Sequence, residues 1–249
     1  GAASGATPGA TPGSPPAVRL GLRLVNGLGP IAARRLVQAR ARGPWRDVAD
    51  LGHRAGLGSH ELSLLAAADA LSSLSGHRRQ QMWDAVARHT PPALLQEAPI
   101  AEPAVELPPA PEGEAIVWDH RSTGLSLRRH PLALLRPQLQ ARRLSTAAEL
   151  AHAPDRRLVR HAGLVTLRQQ PETAGGVMFV TLEDETGVVQ AIVWRSLRER
   201  YRRALMQSRL LAVHGVWQRE GEVCSLIAGH LEDLTPLLHG LSTVSRDFH

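Results

Sequence analysis

Residues 163–194 read GLVTLRQQPETAGGVMFVTLEDETGVVQAIVW, and their pattern predicts three consecutive antiparallel strands. GLVTLRQ forms the first strand and PETAGG a loop. GVMFVTLED alternates apolar and polar residues, ETG makes a turn, and VVQAIVW closes the meander. SLRERYRRALM then has helical spacing. LLAVHGVWQ and EVCSLIAGHLEDL follow as two further strands, joined through the turn REGE.

Three strands, a helix and two strands in that order predict an oligonucleotide/oligosaccharide-binding (OB) barrel, whose exposed face and loops commonly hold single-stranded nucleic acid. Phe179 is the candidate for stacking a base; alternation alone leaves the core equally open to it. Arg168, Gln169 and Gln170 lead into the first loop and Arg219 lies in the last turn, all suited to backbone phosphate or base edges. Trp194 and Trp217 sit among apolar neighbours and read as core, as do Leu197, Tyr201, Ala204 and Leu205 on the helix. Arg198, Arg200, Arg202 and Arg203 then fall outside, as a solvated or protein-contact face. Glu183, Asp184 and Glu185 are adjacent strand residues that point to opposite sides, so they read as turn chemistry rather than a two-metal site.

A repeat precedes the barrel. VNGLGPIAARRLV (25–37) and RAGLGSHELSLLA (54–66) align with Gly-Leu-Gly in register. Pro30 suits the first turn of one following helix and Ser59 is placed to cap the other. This is the pattern of a tandem helix-hairpin-helix unit, in which glycines permit close approach and the next helix presents free N–H groups to phosphate. Asn26, Gly27, Gly29, Arg34, Arg35, Gly56 and Gly58 are the candidate duplex contacts. Arg34 and Arg35 occur in the first copy where the second has Ser63 and Leu64, so the first hairpin is expected to be the stronger phosphate site.

The predicted class is α+β and multi-domain: an all-α tandem helix-hairpin-helix domain at 17–95, followed by a five-stranded OB-fold β-barrel at 159–249 with a short polar tail. A Pro-rich acidic linker (96–115) and a helical connector (116–158) lie between. Residues 1–16 contain a TPG repeat and no large apolar residue; they read as a disordered, tag-like linker. Charge follows this division. Residues 17–95 carry 11 Arg against 5 acids, 96–115 carry 5 acids and no Arg, and 116–249 carry 18 Arg against 13 acids. Two basic blocks on an acidic strip suit two anion-binding domains. There is no Lys, which argues against a ligase-type adenylation step. One cysteine, Cys224, excludes an internal disulfide and reads as a small core residue. No P-loop, nucleophile elbow or His/Cys ligand pair occurs, and no segment has the length of a membrane span. A cytoplasmic location is expected.

Several segments together, VRLGLRLVNGLG, LAAADALSSLSGHRRQQMW, DHRSTGLSLRRHPLALLRPQL, the opening stretch and the ending SRDFH, resemble the C-terminal region of the error-prone bacterial C-family DNA polymerase, the translesion paralogue of the polymerase III alpha subunit. The resemblance spans residues 17–249. It implies that the catalytic carboxylates, with their Mg2+, lie in a palm domain outside this chain, which itself needs no cofactor and is inactive. It further implies duplex DNA at the hairpins, single-stranded template at the barrel, and a mutasome partner resembling an inactive Y-family polymerase. QQMWDAV lacks the aromatic ending of a clamp-binding peptide.

Overall fold

The structure, a computed structural model, describes residues 20–86, 105–172 and 175–241. The expected tail at 1–16, residues 96–104 of the linker and the ending SRDFH lie outside the described residues.

The first block is helical. A 3-10 turn at Leu22–Leu24 leads into α1 (Pro30–Arg40), α2 (Val48–Ala55), α3 (Ser59–Ala67), α4 (Ser72–Ser75) and α5 (Arg78–Val86). With few aromatics available, its core is aliphatic: Ala32, Leu36, Leu51, Leu57, Leu62, Leu65 and Leu71 are buried together. Arg54 fixes the α1–α2 connection by donating to the carbonyls of Pro44, Ala39 and Gly43, with its guanidinium stacked 4.4 Å from the Trp45 ring centroid.

The acidic strip does not stay extended to residue 115. Helix α6 (Glu112–Thr123) begins inside it, with Glu112 and Glu114 in the first turn where the helix dipole favours acids. The strip is also docked on α5: His77 Nε2 lies 2.7 Å from the Leu107 carbonyl oxygen, and the Leu107 N–H donates to Gln80 at 3.1 Å. The expected boundary at 115/116 therefore falls within a helix that packs on the first block. Helices α7 (Pro131–Ala141) and α8 (Ala147–Ala151) follow.

The barrel is closed, in the order β1-β2-β3-β5-β4. Its strands are β1 (Leu158–Gln169), β2 (Met178–Asp184), β3 (Gly187–Val193), β4 (Leu210–Glu220) and β5 (Val223–Asp233). All neighbours are antiparallel except β3 and β5, which run parallel. Alternation along β2 and β3 sends Met178, Val180, Leu182, Val189, Ala191 and Val193 inward, where they meet Trp217, Leu226 and Leu231. The single helix expected between β3 and β4 is two, α9 (Arg195–Arg200) and α10 (Arg202–Gln207), broken at Tyr201. Leu205 of α10 is fully buried and closes one end. A second layer forms on the outside of β1 and β4, where Leu132, Leu135 and Leu139 of α7 cover Ala162, Leu210 and Ala212. The last described helix is α11 (Thr235–His239).

Two core assignments divide. Trp217 is buried, but Trp194 is 53% exposed because it caps α9 rather than ending β3. Cys224 is partly buried against the barrel core.

Candidate nucleic-acid interface

The repeat in sequence is a repeat in backbone. Gly27 and Gly56, 29 positions apart, both take left-handed conformations, at φ +82° and +61°. Gly29 and Gly58 both precede a helix in extended conformation. The copies also pack reciprocally. A Cβ on Gly27 would meet Leu64 of the second copy at 3.4 Å, and one on Gly56 would meet Arg35 of the first at 3.4 Å. Residues 35 and 64 are themselves 29 apart, so each turn rests on the same register position of the other copy's helix.

That reciprocity reassigns Arg35. Its guanidinium donates to the Gly56 carbonyl at 2.6 Å and lies 3.7 Å from Glu61, joining the hairpins. Asn26 is likewise engaged within the fold: its backbone N–H donates to Ser122 and its side-chain amide to the Arg121 carbonyl, both on α6. Arg34 is exposed and has no partner among the described residues.

The two helix N-termini differ. Glu61 accepts from the Gly58 N–H at 2.9 Å, so the second hairpin's donor and its positive dipole end already face a carboxylate. Ser59, expected to cap, is instead the first helical residue. The register equivalent of Glu61 in the first copy is Ala32. Helix α1 accordingly has no acid in its first turn and no side-chain cap, with Pro30 at its first position. The Gly58 N–H thus faces a carboxylate of its own helix, whereas among the described residues no side chain accepts at the start of α1, and this asymmetry goes deeper than the Arg34 and Arg35 difference visible in sequence.

On the barrel, strand pairing places Phe179. It stands opposite Gln169 of β1 and Ile192 of β3, and its neighbours Met178 and Val180 are buried. Phe179 therefore lies on the outer wall with Gln169, Ile192, Gln190 and Thr181. This wall mixes Phe179 and Ile192 with uncharged polar side chains, and Glu183 is the charge at its edge. Arg168 is paired with inward-facing Val180 and caps the end of α10, donating to the carbonyls of Leu205 and Ser208 at 2.7 and 2.5 Å. Burial lowers its pKa. Gln170 accepts from Arg198 at 2.6 Å. Arg219 ties the β4–β5 hairpin to α8 through Asp155 and the Ala151 carbonyl. Arg168 and Arg219, expected from sequence at the first loop and the last turn as contacts for phosphate or base edges, hold barrel ends together.

The acidic triplet is turn chemistry with a partner that sequence spacing cannot reveal. Asp184 accepts from the N–H groups of Ala147, Thr186 and Gly187 and from the Thr186 hydroxyl. Arg136 of α7 bridges Asp184 and Glu185. Among the described residues no cluster of His, Cys, Asp or Glu is arranged to hold a metal ion, and no helix is long and apolar enough to cross a membrane.

Comparison with known proteins agrees with this architecture. A helix-hairpin-helix motif family matches residues 4–81, and an OB-fold nucleic acid binding domain family matches 159–234. The chain is 55% identical over 236 residues to an error-prone DNA polymerase of Burkholderia pseudomallei, covering 94% of this chain and 22% of that one. It is 51% identical over 235 residues to the Ralstonia nicotianae protein of the same name, covering 93% and 22%. The chain thus spans about a fifth of the length of these curated relatives. Asparaginyl-tRNA synthetase from Pyrococcus horikoshii superposes at a TM-score of 0.32 with 22% identity, over 36% of this chain and 22% of that one, too slight a likeness to argue from.

Proposed function

We propose, from the premise that this chain is the counterpart of the C-terminal region of bacterial error-prone DNA polymerases, that it is a non-catalytic DNA-handling segment serving translesion synthesis in the bacterial cytoplasm. The first hairpin holds duplex backbone, and the outer wall of β1–β3 lies beside single-stranded template. Nucleotidyl transfer, with its Mg2+, belongs to the remaining four-fifths of the longer relatives. The observation that carries this reading is the open N-terminus of α1, where Ala32 stands in the register position of Glu61. Backbone N–H groups with a positive dipole end hold a phosphate without reading sequence.

The expected result is weak, sequence-independent binding that weakens steeply with salt. Anisotropy titrations of duplex, primed-template and single-stranded DNA at two salt concentrations test it, and salt-insensitive or absent binding to all three refutes it. Arg34→Gln is expected to lower duplex affinity and reduce the slope of log K against log salt by about 0.9, one phosphate on B-form DNA. Because Arg34 has no partner among the described residues, the melting temperature of this variant should stay that of the parent. Gly27→Val tests the turn itself: with residue 27 at φ +82° and Leu64 adjacent, the hairpin should distort and duplex binding fall.

One observation favours a second role, docking of the mutasome partner. Beside α9 and α10 lies a depression of about 1000 Å³, lined by Arg198, Arg202, Arg203, Met178 and Met206 and by one carboxylate, Glu199, which Arg195 engages, and Met206 and nearby Trp194 are 51% and 53% exposed. Adaptable Met side chains within a basic rim suit an acidic, partly apolar protein segment. Co-purification with the partner should then survive removal of residues 17–95 and be lost with Arg202→Glu/Arg203→Glu; survival of binding in the charge-reversed variant refutes the surface.

A further inference from the structure

We propose that the barrel carries a second nucleic-acid contact on its back wall, a row of Arg and His side chains across β1, β4 and β5 that seats the phosphates of a single strand. This rests on the reading that the barrel handles single-stranded DNA.

Register builds the row. Arg160 of β1 stands directly opposite His214 of β4, and His214 directly opposite His230 of β5. Directly paired residues project from the same side of a sheet, so the three side chains form one line on the outer wall. Helix α7 covers the neighbouring part of this wall, burying Ala162, Leu210 and Ala212; the row is what it leaves open. A bulge between His214 and Gly215 sets the alignment. Only Gly fits at 215, because a Cβ there would collide with the Ile227 carbonyl. Bulges are a common means of re-aiming a side chain.

The row joins cations to rings. His214 and His230 have ring centroids 5.2 Å apart, and Tyr201 meets His230 edge-on at 5.1 Å with its hydroxyl 2.7 Å from Nδ1. Arg142 and Arg143, at the end of α7, complete an open depression of about 390 Å³ with Arg160 and His214. Glu232 is the carboxylate in its lining, and it is engaged by Arg142 at 3.4 Å. Arg143 and Arg160 are exposed and have no ion-pair partner among the described residues. Arg143 takes φ +59° in the turn that closes α7, where the Leu144 N–H reaches back to the Leu139 carbonyl. Burial lowers the His214 pKa, with Arg160 and His230 acting in the same direction and Glu232 against them. The imidazole thus enters as a neutral ring and N–H donor beside fixed guanidinium charges.

Interleaved rings and guanidinium groups match single-strand recognition, in which bases meet flat faces while the backbone tracks positive charge. The depression has no large apolar anchor: apart from Leu144, buried in the second core layer, Ala141 is its apolar lining residue. Peptide docking depends on such anchors. The β1–β3 wall around Phe179 is its complement, nearly uncharged, with Gln169, Thr181 and Gln190 beside Phe179 and Ile192.

Anisotropy with labelled oligo-dT, using the full chain as parent, Arg143→Gln/Arg160→Gln and Phe179→Ala, tests the seat. The double variant is expected to lose at least about fivefold in affinity and about 1.4 in salt slope, two single-strand phosphates at about 0.7 each, with an unchanged melting curve. Parent-like affinity and slope in the double variant, alongside weakening by Phe179→Ala, overturn the seat and leave the proposed function standing. No oligo-dT binding by the parent chain overturns the single-strand reading of the barrel itself. Two competitors decide the ligand. Displacement from this seat by poly-glutamate as potently as by unlabelled oligo-dT would make it a surface for acidic protein. Equal displacement by inorganic phosphate at matched phosphorus concentration would make it a seat for the isolated ion; either result overturns a single-strand seat.

Discussion

Asp184→Ala is expected to destabilise the barrel by about 3–5 kcal/mol, the cost of removing one partner from a buried charged network, read by urea unfolding at neutral pH. The carboxylate is fully buried beside Arg136. It accepts from Thr186, Gly187 and Ala147, so its loss strands donors at the β2–β3 turn and at the start of α8 at once. Loosening α8 also frees Leu150 and Ala147, which pack on the barrel core. A urea midpoint in Asp184→Ala equal to that of the parent would show that Glu185 alone holds Arg136.

The same residue governs acid sensitivity. Burial by itself would raise the Asp184 pKa, but hydrogen bonds from Thr186 and Ala147 outweigh it and hold the value below the ordinary 3.8. Glu185 is held below 4.5, its burial being outweighed by Arg136. A depressed carboxylate contributes stability above its unfolded pKa and loses it as pH falls through the folded value. Parent stability should therefore decline below about pH 4, and Asp184→Asn should flatten that decline while lowering the plateau at pH 7.

Arg78→Ala should cost about 3 kcal/mol by the same mechanism and should also weaken duplex binding. Arg78 is 6% exposed. It donates to the Ala115 carbonyl at 2.7 Å and pairs with Asp119, fastening α5 to α6. Helix α6 in turn holds Asn26 at the first Gly-Leu-Gly turn. Releasing α6 thus removes a brace from the turn that presents the α1 N-terminus. Urea unfolding and duplex anisotropy on the folded variant check the two consequences separately. Unchanged duplex affinity in a destabilised Arg78→Ala would show that the turn is rigid without α6. By the same reasoning, a fragment of residues 17–95 should bind duplex less well than one extended to Thr123.

Local pattern carried most of the architecture. Alternation in GVMFVTLED and VVQAIVW sorts the side chains into two opposite sets, because successive strand residues must face opposite ways. The paired Gly-Leu-Gly turns were legible because glycine supplies the left-handed backbone that both Gly27 and Gly56 adopt. The site was less legible. Asn26, Arg35, Arg168 and Arg219 have the right chemistry for phosphate, yet each finds a carbonyl inside the fold. A guanidinium that satisfies a helix end and one that awaits a phosphate are identical in sequence.

What the sequence alone determined is the order of strands and helices, the duplicated hairpin and the division of charge. Each follows from short-range periodicity or composition. Tertiary structure decided which face of β2 is outward, and so where Phe179 stands. It decided which Arg residues remain unpaired, that α6 braces the first hairpin, and that Arg160, His214 and His230 fall in one line. These depend on strand register and on contacts between residues far apart in the chain, and such distances are set only when the chain closes on itself.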